Sequence, residues 1–342
     1  MPHQYKDSIA TSAHSTSPIM TPVKEPGNPP DAIQYIQYHD DTSPHLWSRI
    51  RHWNQNAFSE FLGTFVFLLF SFGCTAQYVL GKGEKGDYTT LSLGWGVGIM
   101  LGAYTANRSG GHLNPAVTLS MCIYRRFPWS QLPIYALSQT LGAFCAAGVI
   151  YGNYKSAIDH FEGHNIRTVP YILSPSNHSS AVNATPTAGI FATYPAPFMT
   201  TTGAFFSEFL ASAVLMFCIF ALGESKRGGG ARNLSPLVLC FVFVGIATCF
   251  GWETGFAINP ARDFGPRVMT WALGYGRGVW TARGYYFWIP IVAPFLGCVF
   301  GGWLFDVFLN DEETPINSPY MGLGRLFGRV TAPRTEELGS VV

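Results

Sequence analysis

Two short stretches of this chain are near copies of each other, and each ends one apolar run and begins another. The first is Gly110-Gly111-His112-Leu113-Asn114-Pro115-Ala116, and the second is Thr254-Gly255-Phe256-Ala257-Ile258-Asn259-Pro260-Ala261-Arg262-Asp263. Pro in the first helical turn forfeits nothing, because the N–H it lacks would have no partner there, and Asn just before it is a favoured N-cap. Asn114-Pro115-Ala116 and Asn259-Pro260-Ala261 therefore read as helix starts. The apolar run after the first ends at Arg125 and Arg126. Roughly ten residues rise about 15 Å, half of a hydrocarbon core about 30 Å thick. Such a piece cannot cross a bilayer. The expectation is two half-helices, each entering a membrane to mid-depth.

The rest of the chain supplies the membrane. Hydrophobic residues make up 48% of the 342 and charged ones only 12%, about half the usual charged share. Full spans are predicted at about 57–80, 89–106, 132–151, 205–222, 236–250 and 285–308, with half-helices at 114–125 and 260–273. Gly94, Gly96, Gly98 and Gly102 give the second span a face for close helix approach. Pro290 and Pro294 in the sixth are tolerated where neighbours satisfy the freed carbonyls. Ser59-Glu60-Phe61-Leu62 returns as Ser207-Glu208-Phe209-Leu210; Glu60 precedes Asn114 by 54 residues and Glu208 precedes Asn259 by 51. This is an internal duplication. The predicted fold is an all-α membrane protein of six transmembrane helices plus two re-entrant half-helices. Each half holds three full spans, an odd number, so the second copy is inverted relative to the first. The half-helices then enter from opposite faces and meet near the midplane.

A helix broken in lipid leaves backbone groups unpaired at several kcal/mol each unless they are buried or line a cavity. Two facing helix starts thus imply a polar path between them. Each start carries about half a positive charge. The amides of Asn114 and Asn259 can donate to a passing molecule while their carbonyls tie back to the backbone. Such a path favours neutral hydrogen-bond acceptors and disfavours cations, protons included. Neither an enzymatic reaction nor a cofactor nor a metal is implied. The seven cysteines lie in or beside apolar segments without a Cys-x-x-Cys pair, and they read as small buried hydrophobes. A formal net charge of +1 gives no reason to expect a nucleic-acid partner.

Residues 1–52 are polar and rich in Pro, Ser and Thr, and they read as a disordered tail without a signal-peptide core. The first span would then serve as the insertion signal. The channel domain is expected over 53–309, with one repeat at about 57–153, the other at about 201–309, and a polar loop at about 154–200 between them. A second tail follows at 310–342. Asn177 and Asn183 begin N-glycosylation sequons. Six spans put both ends on one face, where Arg108, Arg125, Arg126, Lys226, Arg227 and Arg232 also fall. That face is expected to be cytoplasmic, which leaves both sequons outside.

Over roughly residues 57–308 the chain resembles the major intrinsic protein family, the aquaporins and glycerol facilitators. The likeness rests on both Asn-Pro-Ala motifs, the Glu60 and Glu208 repeat starts, Gln139 and Arg262. It implies a homotetramer in the plasma membrane bilayer, with one pore per subunit that passes water and small neutral solutes passively. Asp263 directly after Arg262, Arg267 in Asp-Phe-Gly-Pro-Arg, and Pro290-Ile291 look like the glycerol-conducting branch. The family's aromatic/arginine filter maps onto Trp95, Ala247, Phe256 and Arg262. Trp95 stands nineteen residues before Asn114, one short of the expected spacing, so a loop deletion is assumed. Water-selective filters normally carry His where Ala247 stands. Trp252-Glu253 departs from the Pro-Leu that glycerol facilitators often have there.

Trp95 and Phe256 would face the C–H side of a polyol, and Arg262, always charged and rich in donors, its hydroxyls. Read blandly, Trp95 is an interfacial aromatic and Phe256 plain packing. Glu60 and Glu208 are expected to accept loop N–H groups, His112 to line the wall, and Asp263 to bond loop backbone. The near alternative is a strict water channel. An ion-coupled secondary transporter also uses inverted repeats and broken helices, but the only intramembrane ionisable groups to serve it are the Glu pair and Arg262. A scaffold with this fold would need neither Arg262 nor either Asn.

Overall fold

The computed structural model describes residues 45–170, 186–223 and 234–310. The expected tails, apart from a few residues at their inner ends, and both sequons, Asn177 and Asn183, lie outside the described residues. Within them the order is α1 (Leu46–Trp53), α2 (Gln55–Leu80), α3 (Tyr88–Thr105), α4 (Pro115–Tyr124), α5 (Gln131–Glu162), a 3-10 turn (Thr187–Ile190), α6 (Thr201–Gly223), α7 (Ser235–Thr254), α8 (Pro260–Thr270), α9 (Gly278–Tyr285) and α10 (Ile289–Phe308). No strand occurs among the described residues.

Five segments are long and apolar enough to cross a membrane: α2, α5, α6, α7 and the run Gly278–Phe308. The remaining expected span, the second in chain order, is α3, with 18 residues, about 27 Å of rise. Its four glycines and its Thr and Ser residues lower its apolar character, yet its start is firmly fixed. Asp87 accepts the Thr90 N–H at 2.8 Å while the Thr90 hydroxyl accepts the Asp87 N–H, a reciprocal cap. The Thr90 N–H holds the Asp87 carboxyl below the usual carboxylate range. Outward faces carry exposed Leu62, Phe70, Leu137, Phe206, Phe241 and Leu296, as hydrocarbon surroundings require.

Several boundaries differ from the sequence reading. Residues 46–52, placed in the tail, belong to α1, which runs on to Trp53. The loop expected from 154 begins only after 162, because α5 continues through a Lys155–Asp159 pair one turn apart at 2.8 Å; polar composition there marks an exposed helix end. The last span starts at Ile289, because Arg283, Gly284 and Tyr285 take left-handed backbone and break the helix before it.

The packing repeats between halves. Helix α2 lies on α3 and α5, as α6 lies on α7 and α10, and α3 meets α7 across the centre. The half-helices are exchanged: α8 packs on α5 of the first half and α4 on α10 of the second. Two glycines at equivalent places in the halves allow close backbone approaches. A Cβ on Gly142 would strike the Phe61 carbonyl, and one on Gly297 would strike the equivalent Phe209 carbonyl. Phe61 and Phe209 each follow the repeat glutamate, so these contacts fix where Glu60 and Glu208 stand. Gly297→Ala should therefore force α6 and α10 apart and cost about 1–3 kcal/mol. Gly152→Ala, with open space around its Cβ, should leave stability unchanged or slightly raised, and thermal unfolding in detergent compares the two.

Candidate functional site

The tips of the half-helices are built from the same parts. Asn114 Oδ1 accepts the Ala116 N–H at 2.9 Å; Asn259 Oδ1 accepts those of Ala261 at 3.0 Å and Arg262 at 3.2 Å. Each side chain thus caps its own helix, whose first turn opens with Pro115 or Pro260. Each amide nitrogen reaches into the other half: Asn114 Nδ2 donates to the Ile258 carbonyl at 2.8 Å, and Asn259 Nδ2 to the Leu113 carbonyl at 2.7 Å. An amide nitrogen carries two hydrogens, so one on each remains beside the path. Leu113 and Ile258 point their carbonyls this way only by adopting positive φ, 54° and 45°.

Behind each tip stands a buried glutamate. Glu60 receives the Ser109 hydroxyl at 2.6 Å, the His112 and Leu113 N–H groups at 3.0 and 2.8 Å, and Gln139 Nε2 at 2.7 Å. Glu208 receives the Ala257 and Ile258 N–H groups at 2.9 and 2.8 Å. Both sit inside the protein, away from the path.

A cavity of about 530 Å³ runs to this junction from the face where α2 begins and α10 ends. Asn114 and Asn259 close its deep end; Gly110, Gly111, His112 and Phe243 are among its walls. His112 packs on Phe127 and Tyr135 and meets the Thr118 hydroxyl through Nδ1 at 3.2 Å. On the other side of the Asn pair, Trp95, Phe256 and Arg262 converge. The rings of Trp95 and Phe256 meet edge to face at 5.2 Å. The Arg262 guanidinium lies 4.4 Å from the Trp95 ring centre and 5.8 Å from that of Phe72. Arg262 is 4% exposed, donates from Nη1 to the Phe191 carbonyl at 3.0 Å, and keeps a buried Nε without a protein partner. Ala247 is fully buried in the same cluster. The Trp95 indole N–H is spent on the Thr75 hydroxyl at 3.1 Å, so Trp95 presents only its ring.

The chain matches the family described as Major intrinsic protein over residues 47–305. It belongs to that family. It is 60% identical over 282 residues to aquaglyceroporin-9 of Botryotinia fuckeliana, covering 82% of this chain and 59% of that one. It is 55% identical over 314 residues to a probable aquaglyceroporin-2 of Gibberella zeae, covering 92% and 85%. The X-ray structure of the aquaglyceroporin from Plasmodium falciparum superposes with a TM-score of 0.64 at 31% identity, covering 75% of this chain and 96% of that one.

In this major intrinsic protein the wall around Arg262 is held by Asp263 and Arg267 together with partners that motif reading passed over. Asp263 accepts the N–H and hydroxyl of Thr193 at 2.7 and 2.6 Å and pairs with Arg267 Nε at 2.8 Å. Arg267, itself buried, returns to the carbonyls of Thr193 and Val279 at 2.6 and 2.7 Å. The segment after the 3-10 turn is thereby clamped onto α8 with Phe191 beneath Arg262. Thr193 and Phe191 lie in a stretch whose composition reads only as polar loop. Thr75 and Phe72 lie in α2, six helices before Arg262 in sequence order, and no local signal marks them.

Glu60→Gln would turn one acceptor oxygen into a donor facing donors. Four groups now converge on that carboxylate, so a stability loss of about 2–3 kcal/mol is expected. Thermal unfolding of the detergent-solubilised protein reads it, and a midpoint unchanged from the parent would refute the structural role of Glu60.

Proposed function

We propose that this chain is a passive channel for water and small neutral polyols such as glycerol, set in the plasma membrane with both termini cytoplasmic and assembled as a homotetramer. The observation that carries the reading is the surface made by Trp95, Phe256 and Arg262. An indole whose N–H is already bonded offers only C–H and π surface, and beside it Arg262, a guanidinium with five N–H donors of which the Phe191 carbonyl takes one from Nη1, retains donor capacity. That combination suits a molecule with one carbon-bound edge and one hydroxyl edge. Ala247 leaves the fourth side small, which favours a polyol over a strict water channel. The aquaglyceroporin names of the relatives agree with it.

Exclusion of ions and protons follows from the electrostatics of the junction. Two helix N-termini face one another there, each worth about half a positive charge, with Arg262 beyond them. Asn114 and Asn259, held by cross-half bonds and with their oxygens turned back onto their own helices, present donors to a passing water and so orient its oxygen against proton relay. The ion-coupled transporter loses support for a separate reason. Glu60, Glu208, Asp263 and Asp306 are each committed to protein donors, so among the described residues no buried carboxylate is poised to take up and release a coupling ion.

Stopped-flow light scattering on reconstituted vesicles should register both water and glycerol flux, linear in the gradient and indifferent to imposed proton or sodium gradients. Saturable uptake driven by either ion gradient would replace this reading with the transporter. Ala247→His combined with Trp95→Phe should reduce glycerol flux about tenfold or more while water flux falls far less, since added bulk in a fitted pocket discriminates steeply. Glycerol passage that survives both changes unaltered would remove the filter assignment.

A further inference from the structure

Ala247 and Phe256 form two sides of the narrow zone in the reading above, and one residue outside that zone touches the supports of both. Tyr88 opens α3 and is half-buried. Its hydroxyl donates to the Ala247 carbonyl at 2.9 Å, bridging α3 to α7 across 159 residues of sequence. It passes over Gly251, a buried residue one turn beyond Ala247. A Cβ on Gly251 would overlap that hydroxyl and would stand 2.9 Å from Cδ1 of Phe256. The Tyr88 hydroxyl and the edge of the Phe256 ring therefore press on one hollow, the space left by the missing side chain. On its other side Phe256 meets Trp95. Its backbone is held at φ 40°, so the ring cannot settle by relaxing the chain and depends on what lies behind it.

We propose that Tyr88 and Gly251 are specificity-determining positioning residues: the hydroxyl, seated in the hollow, is a stop behind Phe256 that sets its distance from Trp95 and so the width offered to a polyol. This rests on Trp95, Ala247, Phe256 and Arg262 being the narrow zone. Neither Tyr88 nor Gly251 touches solute; both act through Phe256 and the Ala247 carbonyl. Two substitutions then act in opposite directions. A methyl at 251 adds to the stop and drives the ring toward Trp95. Loss of the hydroxyl lets the ring retreat into the hollow. With both changes, the methyl fills the space the hydroxyl leaves.

The experiment measures glycerol and water permeability on the same vesicles containing the full chain, and reads their ratio, which does not depend on how much protein inserted. Gly251→Ala should lower the glycerol-to-water ratio at least about threefold, and Tyr88→Phe should raise it about twofold, modest shifts for a methyl-sized change. The double variant should return to within about 1.5-fold of the parent. Ala247→His is measured beside them. If it lowers the ratio while Gly251→Ala and Tyr88→Phe do not move it, the stop is wrong and the narrow zone stands. If none of the three moves the ratio, the narrow zone itself falls and the stop with it. Shifts of the same sign in both single variants, or a double variant no nearer the parent than Gly251→Ala, also overturn the proposal, because general loosening would give them. Should Gly251→Ala fail to insert, Tyr88→Phe decides alone, since it adds no atom.

Discussion

Two amide groups crossing between the halves hold this molecule's centre. Asn114 completes the carbonyl of Ile258, and Asn259 completes that of Leu113. Both acceptor residues sit in left-handed backbone, a conformation that costs a residue with a side chain on the order of 1–3 kcal/mol. It persists because each strained residue has its two polar groups satisfied at once, the N–H by Glu60 or Glu208 and the C=O by the opposite Asn. Neither tip is complete alone. Each half supplies the acceptor that the other half's cap requires, so the junction forms only when the duplicated halves close on each other.

The symmetry at the tips gives way to asymmetry in the walls, and a single position shows how. Gly111 and Phe256 both stand three residues before the Asn of their motif, and both have positive φ, 62° and 40°. Glycine accepts that conformation freely and leaves room, and Gly111 lines the open cavity on its side. Phe256 accepts it under strain and puts a ring against Trp95 on the other side. One duplicated backbone shape therefore serves as a wide vestibule in one half and a tight aromatic wall in the other.

The outer ends of the half-helices are secured by a second shared device built from different residues. At the end of α4, Arg125 forks onto the buried carboxylate of Asp306 at 3.0 and 2.8 Å and lies 3.7 Å over the Phe220 ring, tying α4 to α10. Near the end of α8, Arg267 pairs with Asp263 within the helix and carries the tie onward to Thr193 and Val279. The buried ion pair on the second side thus holds a loop as well as a helix. That loop brings Phe191 to Arg262.

The helices, their breaks and the duplication were legible in the sequence because each is a local consequence of lipid: apolar runs must be long enough to span, and a run that stops short must have a cap. Asn114 and Asn259 announce their caps within two or three residues, and Glu60 and Glu208 stand out as isolated charges in apolar runs. Composition misled where helix α5 outlasts its apolar stretch, because a polar exposed helix end and a loop share the same residue types. The partners were not legible. The acceptors of the two Asn amides lie 144 and 146 residues away, and Thr75, Thr193, Phe72 and Tyr88 carry no motif. The sequence by itself determined where the backbone breaks, since breaking is decided by neighbours along the chain. Only the tertiary structure decided which atoms repair the breaks and shape the wall beside Arg262, since hydrogen bonds and ring contacts act over a few ångströms in space whatever their separation in sequence.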